Sequence, residues 1–269
     1  MTDAALVDVI ILAGDRGADD PIAASQGVPG KVLARIEGRT LLDHVLEAVS
    51  ALPGLGEIVL VAPDGEPWRR VLERHFHDHP HRLLPPAQGP AASVAEALES
   101  RAEPSHPVLV VTGDHPLLQT GWLEVFIERA GQSGAAVCVG VTDAEVVAQR
   151  FAGSRRTRYR FSDSAVCGCN LFWFNGADAV EVARLWRGFE QDRKRPWRIL
   201  ARLGPGLLLR YLAGRVTLAQ AMEALSARFG LRVAAIGIDA PEAAVDVDSL
   251  DDFRLVKRVL GQRRGAGVQ

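Results

Sequence analysis

Hydrophobic and polar residues follow one another along this chain in two periods, and their order predicts its elements. Strand and helix signals alternate, and the strand signals predict strands at 7–13, 57–62, 81–84, 108–112, 135–141, 166–174 and 232–238. Between them apolar residues recur every three or four positions, which predicts helices at 40–52, 66–76, 91–101, 120–132, 176–189, 196–203, 205–213, 217–229 and 249–260. The run Val7-Asp8-Val9-Ile10-Ile11-Leu12-Ala13 is apolar almost throughout rather than alternating, as in a central parallel strand covered on both faces. Strands alternating with helices predict an α/β protein, a three-layer α/β/α sandwich around a mostly parallel sheet. In this reading 1–260 form one domain, with a first half at 1–141 and a second at 142–260, and 261–269 form a frayed tail.

The first strand ends in a glycine-bearing turn, Gly14-Asp15-Arg16-Gly17, and Lys31 and a helix follow. That order suggests a nucleoside triphosphate site. Open α/β sheets bind ligands at the carboxyl ends of their strands, and glycine lets backbone N–H groups come close to phosphate oxygens. Lys31 adds a positive charge about where a triphosphate tail would lie, although a lone lysine is more often simply solvated. It stands too far from the turn for the pattern in which lysine directly follows the loop glycine.

Three stretches carry a family resemblance: Leu12-Ala13-Gly14-Asp15-Arg16-Gly17, then Val28-Pro29-Gly30-Lys31-Val32-Leu33, then Gly38-Arg39-Thr40-Leu41-Leu42. Together they resemble the amino-terminal signature of MobA-like nucleotidyltransferases. Asp15 replaces a glycine of that signature, Asp19 falls where an arginine is expected, and Gly30 separates Pro29 from Lys31. Arg16 supplies charge in place of the missing arginine. The resemblance continues in Gln88-Gly89-Pro90-Ala91-Ala92-Ser93, similar to the family's base-recognition turn, with Ser93 as the candidate partner of the base. It continues again in Val108-Leu109-Val110-Val111-Thr112-Gly113-Asp114-His115-Pro116-Leu117 and in Ala244-Val245-Asp246-Val247-Asp248-Ser249.

The resemblance implies the nucleotide-diphospho-sugar transferase fold, with Leu12, Ala13, Gly14, Gly17, Gln88, Gly89 and Ser93 around the nucleotide. It implies Asp114 as a Mg2+ ligand, Asp248 as the second and Asp246 as its neighbour, and hard cations do prefer carboxylate oxygen. It places Gly168 and Asn170, in Cys167-Gly168-Cys169-Asn170, near the acceptor. Asp246 and Asp248 would alternate onto one face of an extended chain. Taken residue by residue, a Gly-Asp after a strand also reads as a turn, and Asp248 also reads as a helix cap.

Composition narrows the partners. A formal net charge of -2 gives no footprint for nucleic acid, and no apolar run is long enough for stable membrane insertion. Three cysteines without a secretory signal point to reduced thiols in the cytoplasm. Two basic stretches stand out: Arg155, Arg156, Arg158 and Arg160, and the run Arg193-Lys194-Arg195-Pro196-Trp197-Arg198. A phosphate-bearing acceptor would suit Lys194 and Arg195 before a helix that starts at Pro196, but a charged solvent face is an equal alternative. The amphipathic stretches 207–212 and 218–229 suit a core or a homodimer surface. His75, His77, His79 and His81 would share one face of an extended segment, yet the setting argues for a connector rather than a metal site.

The expected activity is Mg2+-dependent transfer of a nucleoside monophosphate from CTP or GTP to a small phosphorylated acceptor, with Lys31, Arg16 and Asp114 carrying the chemistry. The acceptor could be a sugar phosphate, an alcohol phosphate, a lipid headgroup or a pterin. Two rivals stay open: a glycosyltransferase using the Asp246-Val247-Asp248 pattern, and a non-catalytic nucleotide sensor suggested by Asp15 and Asp19.

Overall fold

The computed structural model describes residues 6–14, 19–101, 103, 105–176, 179–190, 197, 198, 201 and 204–266. All seven expected strands are present: β1 (Val7–Leu12), β4 (Leu55–Val61), β5 (His81–Leu84), β6 (Val108–Thr112), β7 (Val137–Asp143), β9 (Ala165–Phe174) and β10 (Val233–Gly237). With the short β8 (Tyr159–Arg160) they make an eight-stranded sheet ordered β10-β7-β9-β6-β1-β4-β5, in which β8 pairs with β9. The strands run parallel except for β9, which lies antiparallel between β6 and β7, and β8 on its edge. A small hairpin, β2 (Arg35–Ile36) and β3 (Arg39–Thr40), stands apart.

The layered build follows from strands with two apolar faces. Val9 and Ile11 of β1, Ile58 and Leu60 of β4, and Leu109 and Val111 of β6 point to one side. There they pack on α2 (Leu41–Ser50), α3 (Glu66–Phe76) and α5 (Thr120–Ser133). The intervening Ile10, Val59, Val61, Val108 and Val110 meet α4 (Pro90–Glu99) and α7 (Ala179–Glu190) on the other side. The expected three-layer α/β/α sandwich is therefore present. A third apolar cluster, with Ile22, Ile36, Leu117, Phe151, Val245, Val247 and Val256, underlies the carboxyl edge of the sheet.

Several elements differ from expectation. Helices α1 (Pro21–Gln26) and α6 (Ala144–Arg150) span six and seven residues, too few turns to show a period. Each is started by an aspartate cap, Asp20 accepting from the Ile22 and Ala23 amides and Asp143 from those of Glu145 and Val146. The tail expected to fray is helical as far as it is described: α8 (Pro205–Leu212) and α9 (Leu218–Phe229) are followed by α10 (Leu250–Ala266). Arg263 holds α10 to the body by donating to Leu117 O at 3.1 Å, and Arg264 by donating to Glu37 at 3.0 Å. The stretch 244–248, expected to be extended, joins no ladder. The expected helix at 196–203 falls mostly outside the described residues.

The four histidines of 75–81 do not share a face, because the chain turns between α3 and β5. His75 meets Asp43 at 3.1 Å, His79 donates to Gly56 O at 3.0 Å, His81 donates to His79 O at 2.8 Å, and His77 lies exposed beside Asp78.

Candidate active site

Close backbone approach builds the centre of the site. At the end of β6, Gly113 N–H donates to Leu12 O at 2.8 Å. A Cβ at position 113 would lie 3.2 Å from both Ala13 Cβ and Leu42 Cδ1, tighter than an ordinary contact, so the chain leaves β6 close beside the end of β1. Asp114 is thereby delivered to the carboxyl edge of the sheet. Its Oδ2 lies 2.6 Å from Lys31 Nζ, and its buried Oδ1 has no hydrogen-bond partner.

Lys31 opens a single 3₁₀ turn, Lys31–Leu33, in which Val32 and Leu33 are buried in the core and fix the direction of the lysine. The third chain segment is anchored the same way. Val245 and Val247 are fully buried, and Val247 N–H donates to Asp114 O at 2.9 Å. Alternation then turns Asp246 and Asp248 to the other side, where Asp248 Oδ1 stands 3.5 Å from Lys31 Nζ. Both oxygens of Asp246 are engaged, Oδ1 by Arg156 Nη1 at 2.5 Å and Oδ2 by Asn170 Nδ2 at 3.0 Å. Asn170 has φ 52°, a left-handed conformation that asparagine tolerates better than most residues, beside the irregular register of β7 and β9.

Charge explains the protonation of the group. Burial alone would lower the pKa of Lys31, but Asp114, Asp248 and Asp246 outweigh it and hold the ammonium above its usual value. Burial alone would raise Asp114, and the adjacent lysine instead keeps it below the ordinary carboxylate range. Asp246 is pushed up to about 6 by burial and by the charges of Asp114 and Asp248, against the pull of Arg156 and Asn170. His115 beside them is buried and pushed down to about 4, so it is neutral at pH 7.

The expected nucleotide residues take distinct places. Leu12 ends β1, Ala13 follows it, and a Cβ on Gly14 would lie 3.3 Å from Pro86 Cβ, so Gly14 stands against the loop before α4. Gly89 precedes that helix in an extended conformation. Gln88 lines a cleft with Pro86, Ala87, Ala92 and Glu96. Ser93 is buried, its Oγ accepting from Ala87 N–H at 3.0 Å, so it shapes the turn from beneath. Gly168 is exposed on β9 with open space where a Cβ would go. Arg16, Gly17, Lys194 and Arg195 lie outside the described residues. A second cleft, between Pro21 and Arg254, contains Asp248.

The structure adds two residues that the sequence reading did not single out for the site. Arg156 bridges Asp246 and Asp252, with Nη2 2.5 Å from Asp252 Oδ1, and its side chain is only 8% exposed. A basic run was legible there, but which arginine turns inward was not.

The donor set suits a Mg2+ ion held by few protein ligands. Such an ion needs one or two carboxylates plus substrate phosphates and water, and Asp114 offers a buried oxygen without a partner. No closed group of three or more His, Cys, Asp or Glu ligands exists among the described residues.

An open, mostly parallel sheet with lysine and carboxylates gathered at the carboxyl ends of its central strands defines an α/β protein of the nucleotide-transferase class. The model of the MobA-like NTP transferase domain matches residues 9–234, and the chain belongs to that family. A hypothetical transferase from Thermus thermophilus is 29% identical and superposes with a TM-score of 0.73, covering 92% of this chain and 99% of that one. CMP:2-keto-3-deoxy-manno-octonic acid synthetase complexed with CTP shares the fold at a TM-score of 0.57 and 14% identity, over 97% of this chain and 100% of that one. The 2-C-methyl-D-erythritol 4-phosphate cytidylyltransferase of Solibacter usitatus is 29% identical over 140 residues, which is 51% of this chain. The bifunctional protein GlmU of Paraburkholderia phytofirmans is 31% identical over 131 residues, 49% of this chain. The chain spans 57% and 27% of the length of these two relatives. Among the described residues no helix is long and apolar enough to cross a membrane.

Proposed function

We propose that this chain transfers a nucleoside monophosphate from CTP or GTP to a small phosphorylated acceptor with release of pyrophosphate, and that it requires Mg2+. The observation that carries this reading is Lys31 held between Asp114 and Asp248 at the end of the central strands, a cation poised between two carboxylates. Relatives named as cytidylyltransferases favour CTP.

Asp114 and Asp248 would hold the ion, with Asp246 as their neighbour. When bound it would neutralise charge on the phosphates of the nucleotide. The rest is the work of the chain's own groups. Backbone N–H groups of the Gly14 turn hold phosphate oxygens. Lys31 gives up part of its contact with the carboxylates and stabilises charge gathering on the leaving pyrophosphate, helped by Arg16. An acceptor phosphate oxygen attacks the α-phosphorus in line as the bond to the β-phosphate oxygen breaks, so no side-chain nucleophile is required. Gly168 leaves space on β9 for the acceptor, Asn170 borders it, and Lys194 and Arg195 attract its phosphate. The reaction belongs in the cytoplasm, a reading supported by three free, buried thiols.

The test is pyrophosphate release with Mg2+, the four triphosphates being screened against phosphorylated sugars, alcohols and pterins. Release that needs one triphosphate and one acceptor is expected. Release of a nucleoside diphosphate from a nucleotide sugar would replace this reading with glycosyl transfer, and triphosphate binding without turnover across the panel would favour a sensor.

A further inference from the structure

The basic loop 151–160 offers three exposed arginines, Arg155, Arg158 and Arg160, and one that is turned inward, Arg156. Burying a guanidinium is costly unless its donors are matched. Here the cost is not even fully offset, because Nε is buried without a partner. What Arg156 does bind lies on both sides of Asp248. Nη1 donates to the backbone oxygen of Asp246 at 3.1 Å and to its carboxylate, and Nη2 donates to Asp252. Asp252 in turn uses its other oxygen to accept from Ser249 Oγ at 2.7 Å and from Asp248 N–H at 3.3 Å.

Asp248 itself has little else to hold it. Its side chain is 53% exposed, and its bond to Lys31 is long at 3.5 Å. Once Lys31 turns to phosphate, the direction of the Asp248 carboxylate depends on its backbone. We propose that Arg156 is a positioning residue for the acidic centre. By bridging Asp246 and Asp252 it fixes the chain on either side of Asp248 and sets that carboxylate opposite Asp114, so that the two can share one divalent cation. The planar fork matters here, since it reaches two carboxylates at once and a lysine ammonium is a point charge. This inference rests on the metal-dependent transferase reading.

The experiment separates geometry from charge. Removing a positive charge beside carboxylates strengthens cation binding if charge is all that counts, whereas losing the bridge weakens it. Arg156→Lys keeps the charge and breaks the bridge. Mn2+ alone is titrated into the full chain and the free ion is followed by electron paramagnetic resonance, with Mg2+ as competitor. For Arg156→Lys we expect the Kd for Mn2+ to rise at least about tenfold (1.4 kcal/mol), and the Mg2+ concentration for half-maximal turnover to rise with it. Arg156→Gln, which breaks the same bridge but also removes a positive charge, should move in the same direction although charge alone would tighten binding, and it serves if the lysine variant does not fold. Arg155→Gln, on the same loop but exposed, should bind Mn2+ like the wild type.

Wild-type affinity in Arg156→Lys, with tighter binding in Arg156→Gln, would overturn the inference in favour of a purely electrostatic role. So would a wild type that binds no Mn2+. Saturable Mn2+ binding by a wild type that releases no pyrophosphate would sink the transferase reading alone, and the variants' affinities would still decide the role of Arg156.

Discussion

Lys31→Met is the most informative single change, because one ammonium balances three carboxylates. Its contact with Asp114 is 2.6 Å long, between side chains 13% and 19% exposed. Removing one partner from a buried ion pair costs roughly 3–5 kcal/mol. The partial exposure of this pair, and the freedom of Asp114 to take up a proton once the lysine is gone, argue for the low end, about 3 kcal/mol. For a chain of this size, each kcal/mol moves the melting temperature by about 2–4 °C, so a fall of about 6–12 °C is expected. The signs set the conditions. Asp114 has a lowered pKa, so its share of the stability is lost as pH falls through that value. Lys31 has a raised pKa, so its share is lost only as pH rises through it. A melt at pH 7.5 in EDTA therefore sees the whole effect. Mg2+ should then return more stability to the variant than to the wild type, about 1.4 kcal/mol at ten times its Kd. A variant that melts within about 2 °C of the wild type in EDTA, or a wild type that gains as much from Mg2+ as the variant, would refute the argument.

Asp114→Ala should lower pyrophosphate release by at least about a thousandfold while far-ultraviolet circular dichroism stays native, and retained turnover in Mg2+ would remove Asp114 from the chemistry. His115, pushed down to about 4, binds its proton in the unfolded chain before it does in the folded one, so stability should fall as pH drops below about 6.5. Between pH 7 and pH 5 this group contributes a loss of roughly 2 kcal/mol, partly offset by Asp246, whose raised pKa gains stability over the same range; urea denaturation should show His115→Asn less acid-sensitive than the wild type, and an equal response would rule out its part. Gly113→Ala must push Ala13 or Leu42 aside, at a cost of roughly 1–3 kcal/mol. It should also reduce turnover by shifting Asp114, and a fully active, equally stable variant would show that this contact has slack.

The central strands β1, β4 and β6 could be read because they are β-branched runs covered on both faces, and Gly113-Asp114 because a glycine and a carboxylate follow such a run. What escaped lacks a local signal. Six-residue α1 is set by the Asp20 cap rather than by a period, and the arginines of 155–160 look alike in sequence. Arg156 is distinguished only by partners 90 and 96 residues away. Lys31 meets Asp114 across 83 positions and Asp248 across 217, contacts that only the assembled sheet creates. Ser93 reads as a partner of the base after a turn, and its burial reflects how tightly the loop folds over the start of α4. The histidine run reads as a connector, and the turn between α3 and β5 is why alternation does not line its imidazoles up.

The antiparallel strand β9 also limits how this protein can be taken apart. Among the described residues β7, the last strand of the first half, pairs only with β9 and β10, both from the second half. A fragment cut near residue 141 would strand β7 and leave one edge of β6 bare, an open template for aggregation. The half that would grip the nucleotide is thus not a portable module. Insertion, circular permutation or recombination that aims to change the acceptor has to spare β9 and work through the connections around it.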